Sequence, residues 1–324
     1  MESHFGKRAF LTLGLGLGVG LGSSRGFAQS APLAGGDDLG RRGAIPAKKR
    51  EISIRKARTT KLFLTPPGWP NAIAIDPDGR GFWIAEQRHD GNRESVWLVD
   101  WNGKLLHTLM TNCQNTSGMS VGDGCIWSGA NGASIKNHPN PPVNGIFQTD
   151  FNGNQISHRQ IPFGPPDNGG ACHGVAWQRG KLWISSNRLE SLVRLDPRTW
   201  QVEWMFPHTF LPDLKDRIHG IEYDEATGFL WQVSGTQSPS APGYGGYTPA
   251  LIKYDISSGE VVEIVEFEAG SCDAHDIAIH QGVFYGVDAG EHPGWPIDNP
   301  AYQRSGWPPL NSPFSGYVFK IDFV

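Results

Sequence analysis

Three histidines share one local sequence in distant parts of the chain. The stretches CHGVAW, IHGIEY and AHDIAI place His173, His219 and His275 before a small or acidic residue and a short apolar run. Three neutral imidazoles that converge on one point form a metal site with open coordination positions, which a catalytic metal needs. The pattern predicts a divalent metal centre; the alternative is that the histidines only fill a polar channel or cap strand amides.

The donor set indicates which ions such a centre would take. Imidazole nitrogen suits Zn²⁺, Fe²⁺ or Mn²⁺, whereas Mg²⁺ and Ca²⁺ prefer oxygen ligands and are the less expected ions. Iron would also permit oxygen chemistry at the cluster, as a variant of the same prediction.

The histidines belong to a repeat that covers most of the chain. Equivalent positions, 46 or 56 residues apart, are occupied by Asn71, Ser117, His173, His219 and His275. Each is followed by an apolar run, then by a second run with a central aromatic, then by a third run that ends in aspartate, as in VWLVD and LVRLD. Asn-Gly and Ser-Gly turns lead into a fourth run, and these dipeptides are typical of β-hairpins.

Five copies of a four-stranded antiparallel unit at this spacing predict an all-β, five-bladed β-propeller. The last copy ends after its third strand, and KLFLT at residues 61–65 is expected to supply the fourth and close the ring. Six blades are the alternative, although two further strands are not found. The recurring aromatics and aspartates are interpreted as packing and turn residues.

In a propeller the innermost strand begins on the face where the second strand ends, so the loops after the second strands surround the channel mouth. These loops are longest in blades 2, 4 and 5 and are rich in aromatics. We expect a substrate pocket walled by Tyr244, Tyr247, Trp295 and Trp307, unless these rings only cover one another. Asn71 and Ser117, the other two inner-ring residues, are expected to orient substrate or water.

Charged residues at the same face supply candidates for proton transfer. Glu86 and Asp288 end the second strands of adjacent blades and are interpreted as a general base, a further ligand or partners of the histidines. The alternative is that each pairs with a loop arginine. His292 is a candidate proton donor or acceptor, and Arg217 is a candidate for holding a substrate carboxylate.

The N-terminal sequence GKRAFLTLGLGLGVGLGSSRGFAQSA resembles a twin-arginine export signal, with Lys7 in place of the first arginine. We therefore divide the chain into a signal at 1–30, a linker at 31–57 and a propeller at 58–324, and expect a periplasmic or secreted protein. The apolar run is too short for stable membrane insertion after cleavage. In an oxidising compartment the four cysteines can form up to two disulfides, with Cys113–Cys125 favoured over Cys172–Cys272.

The HGI and HDI motifs are each followed by a glycine and an LW pair or a similar sequence, and the HGI motif also by an aspartate. With this repeated pattern the chain resembles the streptogramin-B lyase and gluconolactonase-like (NHL-type) propellers over nearly all of residues 60–324. That resemblance implies a channel-mouth divalent metal that opens a lactone ring by elimination or hydrolysis. It also implies ligand or base roles for His219, His275 and Glu86 or Asp288. Those families have seven and six blades, and gluconolactonases use a different ligand set. The glutaminyl cyclotransferase-like propeller is a five-bladed alternative, whose further motifs we do not find.

Together these features predict an exported metal-dependent lyase or hydrolase that acts on a small cyclic or aromatic organic substrate. The alternative is a non-catalytic propeller that presents its loops to a ligand or protein. A net charge of −4 and only 19% charged residues argue against a nucleic-acid partner. A small-molecule substrate is the expected partner.

Overall fold

The computed structural model describes residues 52–66, 68, 70–87, 93–130, 145–160, 172–186, 189–207, 218–234, 250–268, 271–272, 274–287 and 316–324. All regular structure in these residues is β, in twenty strands. Glu51–Val324 form one compact unit. In the described part of the chain, no helix of the length and hydropathy needed to cross a membrane is found.

The strands form five blades of four strands each. Blades 1 to 4 run outward from the channel in chain order, and the outer strand of blade 5 is the first strand of the chain. Blade 1 contains β2 to β5, at Pro70–Ile75, Gly81–Glu86, Glu94–Asp100 and Leu105–Thr111. Blade 2 contains β6 to β9, at Thr116–Gly122, Cys125–Ala130, Gly145–Thr149 and Gln155–Arg159. Blade 3 contains β10 to β13, at Val175–Gln178, Lys181–Ser186, Ser191–Leu195 and Val202–Pro207.

Blade 4 contains β14 to β17, at Ile218–Asp224, Phe229–Ser234, Ala250–Asp255 and Glu260–Phe267. Blade 5 contains β18 to β20, at Asp276–His280, Val283–Val287 and Tyr317–Phe323, and is completed by β1 at Ser53–Leu64. The five inner strands contact their neighbours around a closed ring, and β6 also contacts β14. The predicted five-bladed propeller is confirmed.

Strand β1 closes the ring and joins two blades. From Ala57 to Leu64 it pairs antiparallel with β20, as the fourth strand of blade 5. From Ser53 to Ala57 it pairs parallel with β17, the outer strand of blade 4. Closure by the N-terminal strand is confirmed, and the strand begins within the stretch expected to be a linker. Arg55 and Lys56 in that stretch form ion pairs with acidic residues of β17.

The second-strand tryptophans are packing residues, as expected. Trp83 of blade 1 packs in one apolar cluster with Met119 and Ile126 of blade 2. Trp231 of blade 4 packs in the same way with Ile277 and Phe284 of blade 5. Each indole therefore fills the space between its own blade and the next, which is where a propeller buries most of its apolar surface.

The aspartates that end the third strands hold turns. Oδ1 of Asp100 accepts hydrogen bonds of 2.9 Å from the backbone N–H groups of Asn102 and Lys104. Asp150 accepts from the N–H groups of Asn152 and Asn154 in the equivalent turn, at 2.8 Å each. These carboxylates satisfy backbone donors in the turns and have a structural role.

The four cysteines are buried and none of them is in a disulfide bond, so neither the favoured Cys113–Cys125 pairing nor the Cys172–Cys272 alternative is formed in the structure. Burial raises the pKa of the Cys113 and Cys172 thiols well above its usual value. A buried neutral thiol behaves as a small apolar side chain, so these residues contribute to packing.

Candidate functional site

The five inner-ring residues share one backbone feature, a β-bulge at the start of the inner strand. The register shifts between Pro70 and Ala72 in blade 1, between Thr116 and Gly118 in blade 2, and between Ile218 and Ile221 in blade 4. In blade 3, the carbonyl of Ser185 accepts from His173 N, while Ser185 N donates to the carbonyl of Gly174. A bulge re-aims a side chain, and here it does so at one equivalent position around the channel.

The residue after each inner-ring position shows how closely neighbouring inner strands approach one another. A Cβ atom on Gly118 would lie 2.3 Å from the carbonyl oxygen of His173, and one on Gly174 would lie 2.7 Å from the nitrogen of Ile221. Neighbouring inner strands are therefore in backbone contact. This explains the glycine of the HG motif, which is required by packing between blades.

In blade 5 the corresponding residue is Asp276, and its carboxyl group fills the channel. Oδ2 accepts hydrogen bonds from the backbone N–H of Ile73 in blade 1, at 3.1 Å, and of Met119 in blade 2, at 3.4 Å. A Cβ atom on Gly220 of blade 4 would lie 1.7 Å from Oδ1. Asp276 therefore joins the inner strands of blades 1, 2, 4 and 5.

Two channel carboxyls carry raised pKa values. Desolvation by burial raises the pKa of Asp276 well above its usual value, and the nearby charge of Glu222 adds to this. Desolvation also raises the pKa of Glu222 to about 8, against a hydrogen bond from the backbone of Ile279 that lowers it. Both groups are on inner strands, below a ring of neutral polar side chains.

The predicted histidines come together as three consecutive members of this ring, which we call the imidazole cluster. The ring centroids of His173 and His219 are 5.0 Å apart, and those of His219 and His275 are 4.8 Å apart. All three side chains are buried. Nδ1 of His173 contacts the carbonyl oxygen of Ile218. Since a carbonyl only accepts, Nδ1 carries the proton in this contact, and in the neutral form of the ring Nε2 has the lone pair.

The other side of the ring carries amides, and we call Asn71, Gln87 and Asn115 the amide cluster. Asn71 donates from Nδ2 to the carbonyl of Thr116, at 3.0 Å. Gln87 donates from Nε2 to Oδ1 of Asn115, at 2.5 Å, and to Oγ of Ser117, at 3.2 Å. Asn71 bonds to the residue before the next inner-ring position, as His173 does in blade 3.

One buried glutamate, Glu94, supports the amide cluster, and a second, Glu86, precedes Gln87 in the chain. Glu94 accepts hydrogen bonds from the backbone N–H of Asn115, at 2.5 Å, and of Thr116, at 2.9 Å. Glu86, a predicted base or ligand, is buried and accepts from the backbone N–H of Ser95, at 3.2 Å. Glu94 therefore fixes the backbone that the amides contact.

The remaining predicted site residues lie outside the described residues. These are Asp288, Arg217, His292, Tyr244, Tyr247, Trp295 and Trp307. Their proposed roles stay predictions. Within the described ranges, no group of three or more His, Cys, Asp or Glu side chains is arranged to hold a metal ion as it stands.

Sequence reasoning missed Gln87, Asn115, Glu94 and Glu222. One signal for Gln87 is present in the repeat, because Gln87, Asn131 and Asn187 each stand four residues after the second-strand tryptophan of the first three blades. Glu94 and Asn115 have no such periodic signal. Their pairing depends on the contact between blades 1 and 2.

Comparison with known proteins supports the fold. No protein-family model and no curated protein matches the sequence. The structure is similar to that of Myxococcus xanthus glutaminyl cyclase, with a TM-score of 0.52 and 10% identity over 84% of this chain and 98% of that one. A streptogramin B lyase structure is also similar, with a TM-score of 0.42 and 11% identity over 83% and 98% of the two chains. The predicted resemblance to propeller enzymes is confirmed at the level of fold, at low identity.

Proposed function

We propose that the protein is an exported metal-dependent lyase or hydrolase that acts on a small cyclic or aromatic organic substrate at the channel mouth. The observation that carries this proposal is the imidazole cluster. Three consecutive blades each place a histidine at the same bulged position, with ring centroids 5.0 and 4.8 Å apart. Blades 1 and 2 form the same backbone with asparagine and serine, so the fold itself does not require histidine.

The ring spacing and the donor chemistry fit a shared divalent cation. With metal–nitrogen distances of about 2.0–2.1 Å and tetrahedral angles, neighbouring imidazole centres lie roughly 5 Å apart. The contact between His173 and the Ile218 carbonyl is the kind of outer contact that fixes the tautomer of a ligating histidine. The three donor atoms are not arranged around one centre in the described residues, so binding requires His219 and His275 to reorient towards Nε2 of His173.

A bound Zn²⁺, Fe²⁺ or Mn²⁺ supplies a Lewis acid that polarises a carbonyl or ether oxygen, or a water of lowered pKa. The chain itself supplies the proton transfer and the orientation. We assign the general base to Glu86 or Asp288, the proton donor to His292, and the contact with a substrate carboxylate to Arg217. Asn71 and Ser117 orient the substrate, and Tyr244, Tyr247, Trp295 and Trp307 wall its pocket.

The test is a screen of lactones, cyclic depsipeptides and aryl esters with the full chain, before and after treatment with a chelator. We expect turnover of at least one class, loss on chelation and recovery with one of the three favoured ions. His219→Ala should lower the turnover at least 100-fold. His107→Ala is the matched control, because His107 is exposed on β5 and packs edge-on against Trp83. Binding without turnover, insensitive to chelation, would favour a non-catalytic binding propeller.

Export has a separate test, because it rests on the sequence of residues 1–30 alone. We expect the protein recovered from the periplasm or medium to begin close to Ser30, as read by N-terminal sequencing. Replacing Lys7 and Arg8 by Gln should retain the precursor in the cytoplasm. An uncleaved chain in the exported fraction would contradict the assignment of the signal.

A further inference from the structure

Two amide oxygens of the amide cluster are buried without a hydrogen-bond partner in the described part of the chain. They are Oδ1 of Asn71 and Oε1 of Gln87. The two side chains are 1% and 0% exposed. Leaving a buried acceptor unpaired is unfavourable. A ligand group that donates a hydrogen bond to both oxygens would therefore be bound favourably at this place.

The orientation of both amides is set by their donors. Asn71 bonds to the carbonyl of Thr116, which only accepts, so its amide nitrogen must be the atom that faces Thr116. Gln87 bonds with one nitrogen to both Asn115 Oδ1 and Ser117 Oγ. Rotating the Asn71 amide by half a turn would place its oxygen against the Thr116 carbonyl, and rotating the Gln87 amide alone would place its oxygen against Oδ1 of Asn115. The unpaired atoms are therefore carbonyl oxygens.

The two oxygens belong to one place in the fold. Pro70, before Asn71, pairs with Glu86, which is followed by Gln87, so the backbones of Asn71 and Gln87 lie side by side at the end of the β2–β3 ladder. Their nitrogens bond to consecutive residues of blade 2, Thr116 and Ser117. Asn71 also occupies the ring position that the histidines occupy in blades 3 to 5.

We propose that these oxygens form a subsite for a substrate nitrogen that carries at least two hydrogens, either a primary ammonium or a primary carboxamide. Two acceptors select a donor, and one such nitrogen can serve both, whereas a hydroxyl group has a single hydrogen. The Glu94 side chain accepts from the backbone of Asn115 and Thr116 and so fixes the residues that the two amide nitrogens contact. The subsite adds a substrate feature, an N–H-bearing nitrogen, to the proposed function. Its part in catalysis rests on that proposed function.

The first experiment compares small probes with the full-length wild type in the presence of a chelator. Methylammonium and acetamide carry the required N–H groups, whereas tetramethylammonium and N,N-dimethylacetamide keep the charge or shape without them. Binding is measured by saturation-transfer NMR titration at constant ionic strength. We expect Kd values in the millimolar range for the N–H probes, since ligands of so few heavy atoms make few contacts. The probes without N–H groups should bind at least tenfold more weakly. If methylammonium binds more tightly than acetamide, the subsite prefers an ammonium group, and if acetamide binds more tightly, it prefers a carboxamide.

The second experiment uses Gln87→Met, which keeps the side-chain length and removes the amide. We expect at least a tenfold loss of affinity for the N–H probes. Ser128→Ala is the matched control, because Ser128 Oγ is another buried oxygen of blade 2 without a partner in the described residues. It should bind the probes like the wild type. Circular dichroism verifies that the variants fold. If a variant does not fold, the comparison of probes on the wild type still tests the subsite.

Four results would each overturn the subsite: no binding of either N–H probe at roughly 100 mM, equal binding of the probes without N–H, unchanged binding in Gln87→Met, or displacement of the probes by Ca²⁺. The last would mean that the oxygens serve a hard cation. Metal content and turnover are measured separately. If the protein selects the N–H probes but contains no stoichiometric metal, the subsite is retained and the metal-dependent enzyme is rejected. If it contains stoichiometric metal but does not select the N–H probes, the metal-dependent enzyme is retained and the subsite is rejected.

Discussion

The amide cluster and the imidazole cluster occupy equivalent backbone and differ in chemistry. In both, a bulged residue at the start of the inner strand reaches the carbonyl that precedes the next inner-ring position, as Asn71 does to Thr116 and His173 to Ile218. The amides leave two acceptor oxygens, whereas the imidazoles offer nitrogen lone pairs. The repeat therefore determines where these side chains lie, and the residue type at each position determines what they can bind.

The largest effect is expected where the backbone frame itself is broken. Gly220→Ala would place a Cβ atom 1.7 Å from Oδ1 of Asp276, so either the Asp276 carboxyl or the inner strand must move. We expect a loss of about 3 kcal/mol or more in the free energy of unfolding, measured by urea denaturation. Both clusters should be disturbed, because Asp276 holds Ile73 and Met119 on the amide side.

The control is Ala72→Gly, at the equivalent position in blade 1. Ala72 already carries a Cβ atom and is buried, so the change should cost only about 1 kcal/mol. If Gly220→Ala were as stable as the wild type, the close approach of the inner strands to Asp276 would be refuted.

The second effect is confined to the amide cluster. Glu94→Gln replaces a carboxylate that accepts from two backbone N–H groups by an amide with one acceptor oxygen. We expect a loss of about 2 kcal/mol, since hydrogen bonds to charged groups contribute about 1.5–3 kcal/mol. Glu266→Gln is the control, because Glu266 pairs with the exposed Lys56, and a surface pair contributes about 1 kcal/mol at most. Equal losses in the two variants would contradict the role given to Glu94.

The propeller was predictable because its signal recurs. The repeated inner, aromatic and aspartate positions determine the blades, and the incomplete last copy predicts the closing strand. The bulges have no periodic signal, because they depend on pairing between strands, as between Pro70 and Glu86. The extension of β1 along β17 also escaped prediction, since Arg55 and Lys56 are typical of a solvated linker until the acidic residues of β17 are placed beside them.

The site was predictable to a lesser degree. His173, His219 and His275 come together as expected, because equivalent positions in consecutive blades must lie close. The carboxyl group of Asp276 bridges blades through contacts that depend on the width of the channel, which the sequence does not encode. Gln87 and Asn115 meet across a blade boundary, and no single-strand pattern encodes that meeting.

The third effect is a pH dependence that involves the channel carboxyls below the two clusters. Burial raises the pKa of Glu222 to about 8, from an ordinary value of 4.5. Between these values the folded state holds a proton that the unfolded state has lost, so stability falls as pH rises from about 4.5 to 8. We expect the Tm to fall by roughly 5 °C over this range. Glu222→Gln should reduce the slope, and Asp276, whose pKa is also raised, accounts for the slope that remains. An unchanged slope in that variant would show that Glu222 is not responsible.

The smallest effect on stability is expected when one cluster is converted towards the other. His173→Asn gives blade 3 the residue of blade 1 and retains an N–H donor for the Ile218 carbonyl. We expect a change of about 1 kcal/mol in the free energy of unfolding. Metal binding should nevertheless be lost, because one of three ligands is gone. A large loss of stability with metal retained would make His173 a structural residue.

Elemental analysis of the purified full-length protein tests most directly whether the imidazole cluster binds a metal ion. After expression in a metal-replete medium, we predict about one Zn, Fe or Mn ion per chain in the wild type and in His107→Ala. His219→Ala should contain less than roughly a tenth of that amount. A wild type without stoichiometric metal, or a His219→Ala protein that retains it, would contradict the account.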